Sequence, residues 1–213
     1  MSGSETVATP AEIADRVDER QQRLSRARTL WLTVGAAGGA FALSAGLSAL
    51  FATDTRLLLG EWIALVLFAA AAAPLAFLDA TTRRLPNRGT FPLAGGMLGY
   101  WTGLALTTGQ WQLLTQAVVC ALGLTIILSA IATFGSLAFG DVKLAIAIAL
   151  LTGWFSWLLP LYAIAAGYLL AVPHAAVLIV RRRRDPGADN RIPFGPYLVA
   201  GAVLVTFLAL LTR

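Results

Sequence analysis

Residues 62–79 read WIALVLFAAAAAPLAFLD, an apolar run that meets no charged residue before Asp79. About 20 mostly apolar residues are enough to carry a helix across the hydrocarbon core of a bilayer. Similar runs recur along the 213-residue chain, of which only 13% is charged. Its mean hydropathy of +0.75 is too high for a soluble domain of this size. The sequence therefore predicts a protein whose solvent is the membrane.

Because backbone groups in lipid must be satisfied within the chain, the spans should be helices. The pattern predicts an all-α polytopic fold with six or seven transmembrane helices, the third and fifth of them short. A polar helix that begins at the capping-box sequence Thr9-Pro10-Ala11-Glu12 should precede them. We expect residues 1–28 to form a cytosolic helix and residues 29–213 to form the transmembrane domain. The spans lie at roughly 29–52, 57–79, 91–108, 112–135, 141–158, 160–180 and 196–212.

The basic residues are distributed unevenly between the two sides of this predicted topology. Fourteen of the 16 fall on the side of the N-terminus, which leaves Arg56 and Arg213 on the other. By the positive-inside rule, the crowded side and the N-terminus are cytoplasmic. The net charge of +5 then sets orientation and contacts anionic lipid headgroups, and no nucleic-acid partner is expected.

Two aspartates fall at the same membrane boundary. Asp79 ends the second span and Asp141 begins the fifth, so both lie on the cytoplasmic side. A non-functional interpretation exists for each: Asp79 could pair with Arg83 one turn later, and Asp141 could cap the fifth helix. Together, however, two carboxylates at one depth are suited to acid–base chemistry. One activates a water while the other protonates an amide, so we expect both within reach of a bridging water.

Other polar or small residues receive simpler interpretations. Glu61, near the outer end of the second span, should reach toward the headgroups or pair locally. His174, which follows Pro173, should be a hydrogen-bonded packing residue at a helix kink, and Cys120 a buried apolar residue. One histidine and one cysteine give no metal centre, and no cofactor is expected. The glycines of spans one and three should allow close helix packing: Gly35, Gly38, Gly39, Gly46, Gly95, Gly99 and Gly103.

Three segments on the aspartate side resemble motifs of one known family. They are residues 78–87 (LDATTRRLPN), 138–144 (AFGDVKL) and 192–197 (IPFGPY). In order and spacing they are similar to the type IV prepilin leader peptidases, aspartyl proteases of bacterial and archaeal membranes. One glycine of that family's GxGD motif is replaced here by Ala138.

The resemblance implies that Asp79 and Asp141 form a catalytic pair in the plasma membrane, facing the cytoplasm. It implies a protein substrate, the basic leader of a type IV pilin-like, Tad/Flp-type or archaellin-like precursor, cleaved just before its hydrophobic helix. Since the four-cysteine segment of larger members is absent, a peptidase-only form is expected. Residues implied to support the site or to hold the substrate are Arg83, Leu85, Pro86, Asn87, Gly140, Lys143, Pro193, Phe194, Gly195 and Pro196.

Several alternatives remain open from the sequence. A presenilin-like or signal-peptide-peptidase-like protease also carries a Gly-Asp element, but its Tyr-Asp and Pro-Ala-Leu signatures are absent. A small transporter or proton relay could use Asp79 and Asp141 as a carrier pair. If Ala138 disables the motif, because that position needs a positive φ or close approach, the protein could be an inactive pilus-assembly factor.

The topology is testable by cysteine labelling in a Cys120→Ser background. Ser2→Cys and Gly187→Cys should resist a membrane-impermeant maleimide in intact cells and react after permeabilisation, because the basic side is retained in the cytoplasm. Arg213→Cys should react from outside. Labelling of positions 2 and 187 in intact cells would refute this orientation.

Overall fold

The computed structural model describes residues 10–50, 53–82, 87–135, 138–184 and 193–212. All regular structure in these ranges is helical, which confirms the all-α prediction. Helix α1 runs from Pro10, the first described residue, and passes residue 28 without a break. The division at residue 28 stays a prediction. The helices are α1 Pro10–Leu50, α2 Thr53–Thr82, α3 Asn87–Thr108, α4 Trp111–Thr133, α5 Phe139–Gly153, α6 Leu159–Arg184 and α7 Gly195–Leu211.

The fold is that of a polytopic membrane protein. Four described segments are long and apolar enough to cross a bilayer, by length and composition: Ala27–Gly46, Leu57–Thr82, Trp111–Thr133 and Leu159–Leu178. Helix α7 is a shorter apolar helix of 17 residues.

The short helix α5 lies at the centre of the bundle. It has 15 residues, or about 22 Å at 1.5 Å per residue, less than the roughly 30 Å of the hydrocarbon core. Eleven of these residues are buried, and α5 packs against α2, α3, α4, α6 and α7. Its neighbours rather than lipid surround it, which explains how so short a helix is accommodated.

Helices α1 and α3 approach closely along the glycines of α3. A Cβ atom at Gly99 would lie 2.8 Å from the Ala37 Cα, and one at Gly103 would lie 2.8 Å from the Phe41 carbonyl oxygen. The packing role predicted for Gly95, Gly99 and Gly103 is thus confirmed. The same prediction for the glycines of α1 is wrong, because a Cβ there meets nothing within 4 Å at Gly35, Gly38, Gly39 or Gly46.

A buried polar cluster lies at the end of the bundle opposite the two aspartates. Glu61 is only 1% exposed, and the Trp154 indole N–H donates a 3.0 Å hydrogen bond to its Oε1. Trp154 stacks on Trp101 at 4.3 Å, and the Trp101 N–H donates to the Leu150 carbonyl oxygen. The prediction that Glu61 reaches toward the headgroups is therefore wrong. A carboxyl in the bundle interior needs a hydrogen-bond donor, and Trp154, which directly follows α5, supplies one.

Replacing Gly99 tests the packing of α1 on α3. Gly99→Ala should lower stability by about 1–3 kcal/mol, because the new methyl group overpacks the contact with Ala37. Gly96→Ala is the matched control, since a Cβ there lies 3.9 Å from the nearest atoms and alanine favours the helix. Thermal unfolding in detergent compares the two variants. Equal midpoints would contradict the close approach.

Candidate active site

Asp79 lies in the last turn of α2 and is 6% exposed. The C-terminal end of a helix dipole disfavours an anion there by about 0.3–1 kcal/mol. The Gly195 backbone N–H compensates, since it donates a 2.8 Å hydrogen bond to the Asp79 Oδ2. Gly195 begins α7, so its N–H has no partner within that helix. A hydrogen bond to a charged group contributes about 1.5–3 kcal/mol, which outweighs the dipole penalty.

Asp141 lies in the first turn of α5 and is 7% exposed. The N-cap of α5 is Ala138, so the interpretation of Asp141 as a helix cap is wrong. The Asp141 N–H donates to the Ala138 carbonyl oxygen at 3.0 Å. An anion in the first turn is favoured by the helix dipole. Each aspartate is thus placed beside the N-terminus of a helix, Asp141 in α5 and Asp79 against α7.

The two carboxyl groups lie close enough for the charge of Asp79 to act on Asp141. Both are buried at one end of the bundle, which we call the aspartate end. A pair of neighbouring carboxyl groups is suited to hold one proton between its two members. A site that holds one proton between two buried carboxyl groups can accept a proton from water and donate another to a leaving group.

The segment from Pro193 to Pro196 brings α7 to Asp79. Phe194 is the N-cap of α7, and Pro196 lies in the first turn, a position where its missing N–H costs nothing. A Cβ atom at Gly195 would lie 2.7 Å from the Asp79 Oδ2 and 3.0 Å from its Cγ. Close approach to the carboxylate therefore requires glycine at this position.

Lys143 and Asn87 connect the starts of α5 and α3. The Lys143 ammonium donates a 2.6 Å hydrogen bond to the Asn87 Oδ1 and lies 6.0 Å from the centre of the Phe91 ring. Gly140 is half-buried in the first turn of α5. The hydrogen bond between Lys143 and Asn87 attaches one side of α5 to α3, and Asp141 lies on a different side of α5. Of the other predicted site residues, Arg83, Leu85 and Pro86 lie outside the described residues, and so does the pairing of Asp79 with Arg83.

Ala138 has an ordinary backbone conformation, with φ −77° and ψ 136°. Its side chain is exposed. Neither a left-handed backbone nor a crowded contact therefore requires glycine there. In the described part of the connection between α4 and α5, the residue that adopts positive φ is Gly135, at 79°, two residues after the end of α4. The replacement of the motif glycine by Ala138 is thus accommodated without strain.

Tyr168 on α6 is a site residue that the sequence analysis missed. Its ring packs on Phe194, the residue before Gly195, with 5.5 Å between ring centres. Nothing in the sequence distinguishes Tyr168 from any other tyrosine of an apolar helix. Its place at the site arises only because α6 and α7 pack together.

No metal site is found among the remaining titratable residues in the described part of the chain. Among the residues that the structure describes, no three His, Cys, Asp or Glu side chains come together as a metal ion would require. His174 Nδ1 is hydrogen-bonded to the Tyr197 hydroxyl at 2.5 Å, which agrees with a packing role between α6 and α7. Cys120 is half-buried, with its thiol 3.8 Å from the Trp157 carbonyl oxygen.

One known protein family matches the part of the chain that contains the two aspartates. The profile of the type IV leader peptidase family matches residues 63–176, which is just over half of the chain. The chain belongs to the type IV leader peptidase family. The matched region contains Asp79 and Asp141, and membership makes the protein a leader-peptidase-like protease of the membrane. No curated protein and no solved structure matches the chain.

The contact between Gly195 and Asp79 predicts a sensitive position in this leader peptidase. Gly195→Ala should reduce peptidase activity by about 100-fold, because the methyl group displaces the Asp79 carboxylate and breaks its hydrogen bond. Gly123→Ala on α4 is the control, since a Cβ there meets nothing within 4 Å. Cleavage rates at equal membrane abundance compare the two. Full activity of Gly195→Ala would show that this contact is dispensable.

Proposed function

We propose that the protein is an aspartic endopeptidase that removes the N-terminal leader of type IV pilin-like or Tad/Flp-type precursors. The observation that carries this proposal is the pair Asp79 and Asp141, both buried and interacting at one end of the bundle. The family match over residues 63–176 includes both residues. Together they supply the acid and the base that hydrolysis of a peptide bond requires.

In the proposed reaction, Asp79 is the general base. The Gly195 backbone N–H holds the Asp79 carboxyl group in place by donating a hydrogen bond to Oδ2. Asp79 takes a proton from the attacking water, whose oxygen bonds to the carbonyl carbon of the leader. Asp141 begins protonated and gives its proton to the amide nitrogen as the carbon–nitrogen bond breaks. Transfer of the proton from Asp79 to Asp141 restores the starting state.

The proposal places the aspartate end at the cytoplasmic face of a bacterial or archaeal plasma membrane. The support is the uneven distribution of basic residues, 14 of 16 of which fall on that side of the predicted topology. The precursor is the proposed protein partner, membrane lipids surround the helices, and no cofactor takes part.

A proton relay fits the described residues less well. Glu61 lies at the end opposite Asp79, so a relay would need polar groups between them. The buried face of α2 between these residues instead carries only apolar side chains, namely Ala64, Leu65, Phe68, Ala72 and Leu75. In the part of α2 that the structure describes, these side chains offer no path for a proton or an ion.

Replacing either aspartate tests the proposed mechanism. Asp79→Asn and Asp141→Asn should each lower cleavage of a co-expressed pilin-like precursor to background, because an amide cannot act as a general acid or a general base as a carboxyl group can. The mobility shift of the precursor measures cleavage, and membrane abundance is followed alongside. Cys120→Ser and Glu61→Gln are controls that should keep most activity; glutamine retains an acceptor for the Trp154 N–H. Normal processing by either well-expressed aspartate variant would exclude the mechanism.

Ala138→Gly extends this assay to the altered motif. Because Ala138 is exposed and its φ is negative, glycine relieves no strain, and the rate should stay within about twofold of the wild type. A large gain in rate would instead identify Ala138 as an impairment of the site.

A further inference from the structure

A groove on the surface between α2 and α7 leads away from the aspartates. It has a volume of about 560 Å³. Its small side chains are Ala69, Ala73 and Ala76 on α2 and Ala200 on α7, and its largest is Phe207. Every residue that lines it is apolar. We call it the α2/α7 groove.

The groove begins at the proposed catalytic site. Ala76 lies one turn before Asp79 on α2, and Pro196 directly follows Gly195, whose N–H is bonded to the Asp79 carboxylate. From Pro196 the groove follows α7 to Phe207, about 16 Å at 1.5 Å per residue. It therefore runs from the aspartate end across about half of the hydrocarbon core.

We propose that the α2/α7 groove binds the hydrophobic helix of the precursor, which rests on the function proposed above. A chain that leaves the site into the bilayer must be helical, because lipid cannot satisfy its backbone groups. Alanine side chains permit a second helix to approach closely, as small residues do at contacts between membrane helices. A lining without polar groups suits an apolar helix and offers nothing to a charged ligand.

A second apolar groove provides the comparison. It lies between α1, α2 and α3, has a volume of about 430 Å³, and is lined by residues that include Gly39, Ala71 and Pro74. None of the residues that line it belongs to the segment of α7 that is hydrogen-bonded to Asp79. Ala71 and Ala73 are both exposed on α2, but two residues turn a helix by about 200°, so they face opposite sides. Ala71 is therefore a matched control for Ala73.

Photo-crosslinking tests where the helix binds. A benzophenone amino acid is placed at position 73, 200 or 71 of the full chain carrying Asp141→Asn, with Asp79→Asn as a second inactive background. The probe is a precursor that the wild type cleaves. Crosslinks to the hydrophobic helix of the precursor should be at least fivefold stronger from positions 73 and 200 than from position 71. Equal or stronger crosslinking from position 71, or crosslinks to lipid alone from positions 73 and 200, would overturn the proposal.

Filling the groove gives an independent measurement. Ala73→Leu and Ala200→Leu should raise the KM for the membrane-embedded precursor about tenfold and leave kcat within twofold, whereas Ala71→Leu should change neither. Unchanged KM in both groove variants would overturn the docking site while the peptidase function stands. If the wild type cleaves no precursor, the proposed function fails, and the docking proposal fails with it.

Discussion

The burial of two interacting carboxyl groups at one end of the bundle is the constraint on which the arrangement of its helices depends. Asp79 and Asp141 are each more than nine-tenths buried and interact electrostatically. Removing a carboxyl group from water costs free energy, and two like charges placed near each other repel. The fold compensates with helix N-termini: Asp141 lies in the first turn of α5, and the first N–H of α7 is bonded to Asp79. The position of α7 therefore affects the electrostatic environment of the two aspartates.

Small residues fix that position of α7. A Cβ atom at Gly201 would lie 2.7 Å from the Ala163 carbonyl oxygen, and one at Gly167 would lie 2.9 Å from the Leu198 Cα. The ring contact between Tyr168 and Phe194 extends this close packing of α6 against α7 toward the site. Because Phe194 directly precedes Gly195, the packing of α6 against α7 also fixes the position of the Gly195 backbone N–H. Gly195 in turn must lack a side chain, because Asp79 occupies that space.

Helix α5 is held at both of its ends. At the aspartate end, Lys143 is hydrogen-bonded to Asn87 on α3. At the opposite end, Trp154 directly after α5 is bonded to Glu61 and stacked on Trp101. A hydrogen bond to a carboxyl group is strong in a medium without competing water. Anchors at both ends explain how a central helix too short to cross the bilayer keeps Asp141 at a defined depth.

The sequence by itself determined the helical class, the helix order and the shared side of Asp79 and Asp141, because hydropathy depends on composition and local order along the chain. It also identified Gly195 as a site candidate through its motif. The partners of these residues were decided only by tertiary structure. Glu61 meets Trp154 across 93 positions, and Asp79 meets Gly195 across 116. Tyr168 was missed and the glycines of α1 were misjudged for the same reason. The face that a transmembrane helix turns to its neighbours is set by packing, since lipid and protein interior are equally apolar.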